Sequence, residues 1–259
     1  MYRKLSVLIS LLLISVLCFI SPVGADELAE IKNAGEMKIA MTGAYPPFNF
    51  INEQNEVVGF DPAIGREIAT RLGVKPVIVT TAWDGILAGL LANKYDTICG
   101  SMTITAKRQE VVDFVGPYYR SGRGIFIRKN ASLKSLADLK GKNIGVTLGE
   151  THEKWARTQK GWKIKTYKGL PELLLELENK RIDAIVIDSI PGLLAIKKTG
   201  IPIKKMDLPE IEGGDVNIGI AIRKNNPELK AAMQKALDAM MDDGTYTKIS
   251  NKWIGSDIR

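Results

Sequence analysis

Residues 61–79, DPAIGREIATRLGVKPVIV, decide the fold. Asp61 suits a helix cap, the fixed φ of Pro62 fits the first helical position, and Ile64, Ile68 and Leu72 make one apolar stripe. Gly73 stands where a helix closes in a positive φ, and Val77 to Val79 start a strand almost at once. A helix running straight into a strand is half of a strand-helix-strand unit.

The flanking sequence supplies the rest. Met37 to Met41 reads as a short buried strand that enters a loop, Thr42-Gly43-Ala44-Tyr45-Pro46-Pro47. Downstream, Ile86, Leu87, Leu90 and Leu91 share one helical face, and Asp96 to Cys99 forms the next strand. This order predicts a mostly parallel sheet covered on both faces by helices.

The same grammar returns further along. Asn143 to Val146 is a strand, a helix begins near Thr151, Lys163 to Tyr167 is extended, and Leu170, Leu173, Leu174 and Leu177 mark another helix. Ala184 to Ile187 closes this second unit. Two extended segments look like crossings between the units: 117–128, with Gly124 to Ile127, and 213–222, where Val216, Ile218, Ile220 and Ile222 alternate. Two crossings mean that the chain leaves the first lobe and returns to it, where the helix opened by Asn226-Pro227 and running through Met241 finds its partner surface. The expected fold class is α/β and two-lobed, each lobe a mostly parallel sheet flanked by helices. Residues 26–119 and 216–259 form lobe 1, and residues 120–215 form lobe 2. Open sheets bind ligands outside the carboxyl ends of their strands, so the site is expected in the cleft between the lobes.

Arg3 and Lys4 precede an unbroken apolar stretch from Leu5 to Ile20 and a small-residue exit at Val23-Gly24-Ala25. This is a secretory signal peptide over residues 1–25, cleaved near Ala25, and it predicts a periplasmic or secreted protein. Its loss removes two cations and no acid, taking the net charge from +7 to +5. Cys99 is then the one remaining thiol, so the hydrophobic core alone must hold the fold. Basic and acidic residues are interleaved throughout, which argues for a solvated surface and against a nucleic-acid partner.

Arg108 carries the clearest chemical hint. Thr105 is a good helix cap after the strand ending at Cys99, which puts Arg108 in a first turn, against the helix dipole. Its planar fork of donors matches a carboxylate, to which Ser101 and Thr103 would add hydroxyls. A surface pair with Glu110 or Asp113 is the competing reading. In the second unit, Val146-Thr147-Leu148-Gly149-Glu150-Thr151 repeats the strand, turn and helix N-terminus, where free N–H groups favour an anion. Asp188 either meets an ammonium group or caps the helix near Ile190. Tyr45 and Trp83 offer aromatic faces at strand ends. His152 is the only histidine, so neither a histidine pair nor a thiolate metal site is available, and no Walker, dinucleotide or Gly-x-Ser-x-Gly motif occurs. No metal, cofactor or catalytic residue is expected.

Taken together, Gly59-Phe60-Asp61, Trp83-Asp84-Gly85, Ser101-Met102-Thr103-Ile104-Thr105 with Arg108, Asp113-Phe114 with Pro117-Tyr118-Tyr119, Leu139-Lys140-Gly141-Lys142 and Asp243-Gly244-Thr245-Tyr246 resemble the amino-acid-binding family of solute-binding proteins that serve ABC importers. The resemblance covers the whole mature chain and implies the periplasmic-binding-protein type II fold, a monomer, and delivery of an α-amino acid (polar, cationic or aromatic) to an ABC transporter permease. It further implies that Arg108, Ser101, Thr103 and Thr151 hold the ligand carboxylate, Asp188 the ammonium, and Tyr45 and Trp83 the side chain, with Gly100, Thr147, Glu150 and His152 completing the binding set. Two departures stand out: Pro62-Ala63 replaces an aliphatic-acidic pair, and Glu150 replaces a small hydroxyl residue beside Thr151. A Glu150 facing the cleft would favour a cationic side chain. Gly43-x-Tyr45-x-Pro47-Phe48 and Gly149-x-Thr151-x-Glu153-Lys154 also resemble cyclohexadienyl dehydratases, which act on prephenate or arogenate, but Ala44 and Pro191 stand where those enzymes carry an acid. A sensing ectodomain, the third class, would need a signalling segment after the lobes.

Overall fold

The computed structural model describes residues 27–208, 211 and 216–259, so the signal peptide lies outside the described residues. Helix α1 (Glu27–Ala34) leads into β1 (Glu36–Met41), and a small three-stranded sheet of β2 (Ala44–Tyr45), β3 (Asn49–Ile51) and β4 (Val57–Val58) follows. Then come α2 (Phe60–Arg71), β5 (Lys75–Thr80), α3 (Trp83–Leu91), β6 (Thr97–Thr103), the single turn α4 (Ala106–Gln109) and β7 (Val112–Ser121). A second sheet is built from β8 (Arg123–Arg128), β9 (Asn143–Thr147), β10 (Lys163–Tyr167), β11 (Ala184–Asp188) and β12 (Ile203–Lys205), with helices α5 (Thr151–Thr158), α6 (Leu170–Glu178) and α7 (Ser189–Thr199). The chain closes with β13 (Val216–Arg223), α8 (Pro227–Asp242) and α9 (Thr245–Trp253).

The first sheet has the order β5-β1-β6-β13-β7, parallel except for β13, which is antiparallel to both of its neighbours. The second has the order β10-β9-β11-β8-β12, with β10, β9 and β11 parallel and β8 antiparallel to both β11 and β12. This is the two-lobed α/β architecture expected, with Gly122 as the single residue between β7 of one sheet and β8 of the other. The return crossing reaches β13, whose Val216 pairs with Ser121. Residues 212–215 of that crossing lie outside the described residues.

Helix α2 buries Ile64 and Ile68 completely, and Gly73 adopts φ +77° while its N–H bonds the carbonyl of Thr70. Asp61, however, is not the cap. That position falls to Gly59 at φ +130°, where a Cβ would come within 2.4 Å of the Phe48 carbonyl oxygen. Asn226 likewise makes no side-chain cap for α8; its amide bonds Glu27, accepting from Glu27 N at 3.0 Å and donating to Glu27 Oε1 at 2.9 Å. Strand β6 also runs further than expected. Gly100 to Thr103 belong to it because β13 pairs there, Ile218 with Thr103 and Gly219 with Met102.

Candidate functional site

The carboxyl ends of both sheets face one polar cavity between the lobes. Tyr45, Trp83, Gly100, Ser101, Thr103 and Arg108 line it from the first lobe, and Thr147, Glu150, Thr151, His152 and Asp188 from the second. Every residue singled out for ligand contact from sequence therefore borders this one space.

Arg108 is 9% exposed, and Thr105 caps its short turn by accepting from Arg108 N at 3.2 Å. The helix ends at Gln109, so the dipole opposing Arg108 is only that of one turn. Two contacts aim the side chain: Nη1 donates to the Thr103 carbonyl at 2.8 Å, and the guanidinium lies 5.6 Å from the Trp83 ring centroid. Among the described residues no carboxylate comes within ion-pair distance of it, and Asp113, one of its expected surface partners, meets Lys224 instead. Burial lowers its proton affinity, and the charge of Glu150 partly restores it.

Behind this wall lies the fully buried Asp61. Its carboxylate accepts from Asn49 Nδ2 at 2.6 Å, Ser101 Oγ at 2.8 Å and Tyr118 OH at 2.7 Å. Asn49 in turn accepts from Thr42 Oγ1 and Gly43 N, fixing the loop that precedes Tyr45. Burial pushes the Asp61 carboxyl up to about 6, against the pull of these donors. The Ser101 hydroxyl is thus committed to Asp61, and its N–H to Tyr118 OH at 2.9 Å. It does not serve as the spare carboxylate donor expected of it. Toward the cavity Ser101 offers an acceptor oxygen.

The second wall begins at α5. Glu150 occupies the N-cap without making a side-chain cap, which puts Thr151 inside the first turn. Glu153 instead closes the turn by accepting from Gly149 N at 2.6 Å, and pairs with Arg157 at 2.8 Å. Asp188, at the start of α7, makes no cap either. Its Oδ2 accepts from Tyr45 OH of the opposite lobe at 2.5 Å, and His152 Nε2 lies 3.2 Å from its Oδ1. Arg123, the first residue past the crossing, donates from Nε to His152 Nδ1 at 3.4 Å and stacks 4.3 Å from the Trp155 ring centroid. Burial opposes ionisation of Asp188, yet His152, Tyr45 and Arg123 together hold its carboxyl below the usual range. For Glu150, the charges of His152 and Arg108 and the Thr147 hydroxyl do not offset its burial. Its Oε2 and the Thr147 hydroxyl are buried without a well-formed hydrogen-bond partner, and burial pushes the Glu150 carboxyl up to about 7.

Thr42, Ala44, Lys168 and Gly169 also line the cavity, and none of them was read from sequence as a ligand contact. Ala44 and Pro191 are the positions at which dehydratases carry an acid, and Pro191 is buried in the first turn of α7. Among the described residues no cluster of side chains is suited to hold a metal ion.

Two facing sheets, a double crossing and one polar cavity between them define a solute receptor. The chain belongs to the bacterial extracellular solute-binding proteins, family 3, whose pattern fits residues 37–256. It is 34% identical over 242 residues to the L-cystine-binding protein of Escherichia coli (strain K12), covering 90% of this chain and 89% of that one. It is 33% identical over 226 residues to ABC transporter arginine-binding protein 1 of the same strain, covering 85% and 91%. Among solved structures it resembles an ancestral amino-acid-binding protein described as a precursor of cyclohexadienyl dehydratase, with 34% identity, a TM-score of 0.81 and coverage of 88% of this chain and 99% of that one.

Proposed function

We propose that this protein captures one α-amino acid outside the cytoplasm and delivers it to an ABC importer. The observation that carries this reading is the pair of opposite charges across one cavity: Arg108, buried and unmatched by any described carboxylate, and Asp188, kept ionised on the other side. A zwitterionic head group satisfies both at once. Its carboxylate takes the Arg108 fork together with Thr103, Thr151 and the N–H groups opening α5. Its ammonium donates to Asp188 and to the Ser101 oxygen, while Tyr45 and Trp83 flank what extends beyond.

The first lobe, read from sequence as residues 26–119 with 216–259, extends through β7 to Ser121, and the second starts at Arg123 rather than at residue 120; each acts as a rigid body, hinged at Gly122 and at the return crossing. The protein works as a monomer that meets its permease in the periplasm after loss of residues 1–25. The relatives support the amino-acid reading, since their names share the amino-acid head and differ in side chain.

A thermal-shift screen of amino acids on the mature chain, followed by calorimetry, tests this. A ligand at 100 times its Kd stabilises by about 2.7 kcal/mol. The reading fails if no amino acid moves the melt and prephenate is turned over.

A further inference from the structure

We propose that Glu150 forms, with the Thr147 hydroxyl, a side-chain subsite that selects amino acids ending in a cation, such as a guanidinium or an ammonium. This rests on the amino-acid reading above and adds the ligand's far end to it.

The inference follows from the charges that line the cavity. Setting aside Lys168, which is exposed, and His152, which is engaged with Asp188, these are one cation, Arg108, and two carboxylates, Asp188 and Glu150. A zwitterionic head consumes Arg108 and Asp188. Asp188 is already supported from behind by His152, and through it by Arg123. Asp188 Oδ1 is buried in the same way but has the His152 nitrogen at 3.2 Å, whereas Glu150 Oε2 and the Thr147 oxygen are sealed from solvent without a well-formed hydrogen-bond partner. Buried acceptors of this kind are costly unless a donor reaches them. A neutral side chain leaves Glu150 either charged and unpaired or forced to take up a proton. A cationic one supplies both the donor and the charge. The walls suit such a group, because Trp83 and Tyr45 present aromatic faces to the same space. The groups that act on Glu150 are His152, Asp188, Arg108, Tyr45 and the Thr147 hydroxyl beside it, and none of the charged ones pairs with it at short range among the described residues.

Two sources of the cation are possible in chemical terms: a basic side chain, or the second ammonium of a doubled amino acid such as cystine. Calorimetry on the mature chain at pH 8 separates them, using arginine, lysine, cystine, glutamine and citrulline, the last being the neutral counterpart of arginine. Arginine or lysine should bind at least roughly tenfold tighter than citrulline and glutamine, the discrimination expected of one buried charge pair. If cystine alone shows that advantage, the cation is the second ammonium. Glu150→Gln should bring the cationic and neutral ligands to within about threefold of one another. The subsite is refuted if citrulline or glutamine matches every cationic ligand on the native protein, or if Glu150→Gln leaves the ratio unchanged. The native comparison decides alone if that variant does not fold. Failure of the subsite is distinct from failure of the head-group reading. In the first case neutral amino acids still bind and Arg108→Ala still weakens them; in the second no amino acid binds at all.

Discussion

Replacing Gly169 by alanine presses the two lobes apart while leaving each intact. Gly169 precedes α6 in the second lobe, and a Cβ built on it meets the Ala44 carbonyl oxygen of the first lobe at 2.6 Å and the Ala44 Cβ at 3.0 Å. Both obstacles include backbone or a Cβ, which no rotamer can move aside. Carbon settles against a carbonyl oxygen at about 3.3 Å, so closure must stop roughly 0.7 Å short, the difference between 3.3 and 2.6. That gap falls on contacts spanning the cleft, such as the 2.5 Å bond from Tyr45 to Asp188, and on any carboxylate held jointly by Arg108 and Thr151. Losing the better part of one charged hydrogen bond costs about 1.5–3 kcal/mol, or roughly 10- to 150-fold in Kd. The backbone itself is indifferent, since φ at Gly169 is −177°, extended and open to any residue. Calorimetry with the native amino acid should therefore show the weakened Kd, while the melting temperature without added ligand stays within about 2 °C, as expected for a change below about 1 kcal/mol. An affinity retained within twofold, or an equal loss of stability without ligand, would refute the reasoning.

Arg108→Ala should weaken amino-acid binding by about 2–5 kcal/mol, at least roughly 30-fold, with little effect on folding; an unchanged Kd returns Arg108 to a structural role. Asp61→Ala strands the donors of Asn49, Ser101 and Tyr118 and should cost about 3 kcal/mol or more, lowering the melting temperature by roughly 6 °C or more in differential scanning calorimetry. Glu150 sets a pH dependence with a definite sign. Its carboxyl is pushed from 4.5 up to about 7 in the folded protein, so the folded state holds the extra proton between those values and stability falls as pH rises through that window. Glu150→Gln should flatten this decline between pH 5 and 8, measured by denaturant midpoints. Binding runs the other way for a cationic ligand: arginine affinity should rise from pH 6 to 8 while glutamine affinity falls, and parallel trends would contradict the charge pairing.

The repeated strand-helix grammar was legible because each element carries its own period. Strand β10 spans the residues 163–167 read from sequence, and α6 buries Leu170, Leu173 and Leu177 as its spacing demands. What local pattern could not supply were facts made by distant partners. The strand before Gly100 reads as ending at Cys99 until β13, more than a hundred residues away, pairs beside its continuation. Asp61 reads as a cap because an acid before Pro usually is one, and only the tertiary fold brings three donors to it. The candidate site showed the same division. Arg108, Thr151 and Asp188 stand at strand and helix ends, which sequence reveals, whereas Lys168, Gly169 and the bond from Tyr45 to Asp188 depend on how two lobes meet.

Asp61 also shapes how such a protein can diverge. It holds Ser101, Asn49 and Tyr118 from behind, so the part of the wall facing the amino-acid head is secured by a group that never touches the cargo. On the opposite wall, Glu150 and Thr147 are free of that duty. Single substitutions at Glu150 or Thr147 can re-tune which cargo is accepted while the head-group contacts stay in register. That separation makes the chain a tractable starting point for new receptors: selectivity can be bred into the Glu150 corner with the head-group contacts kept as a constant chassis.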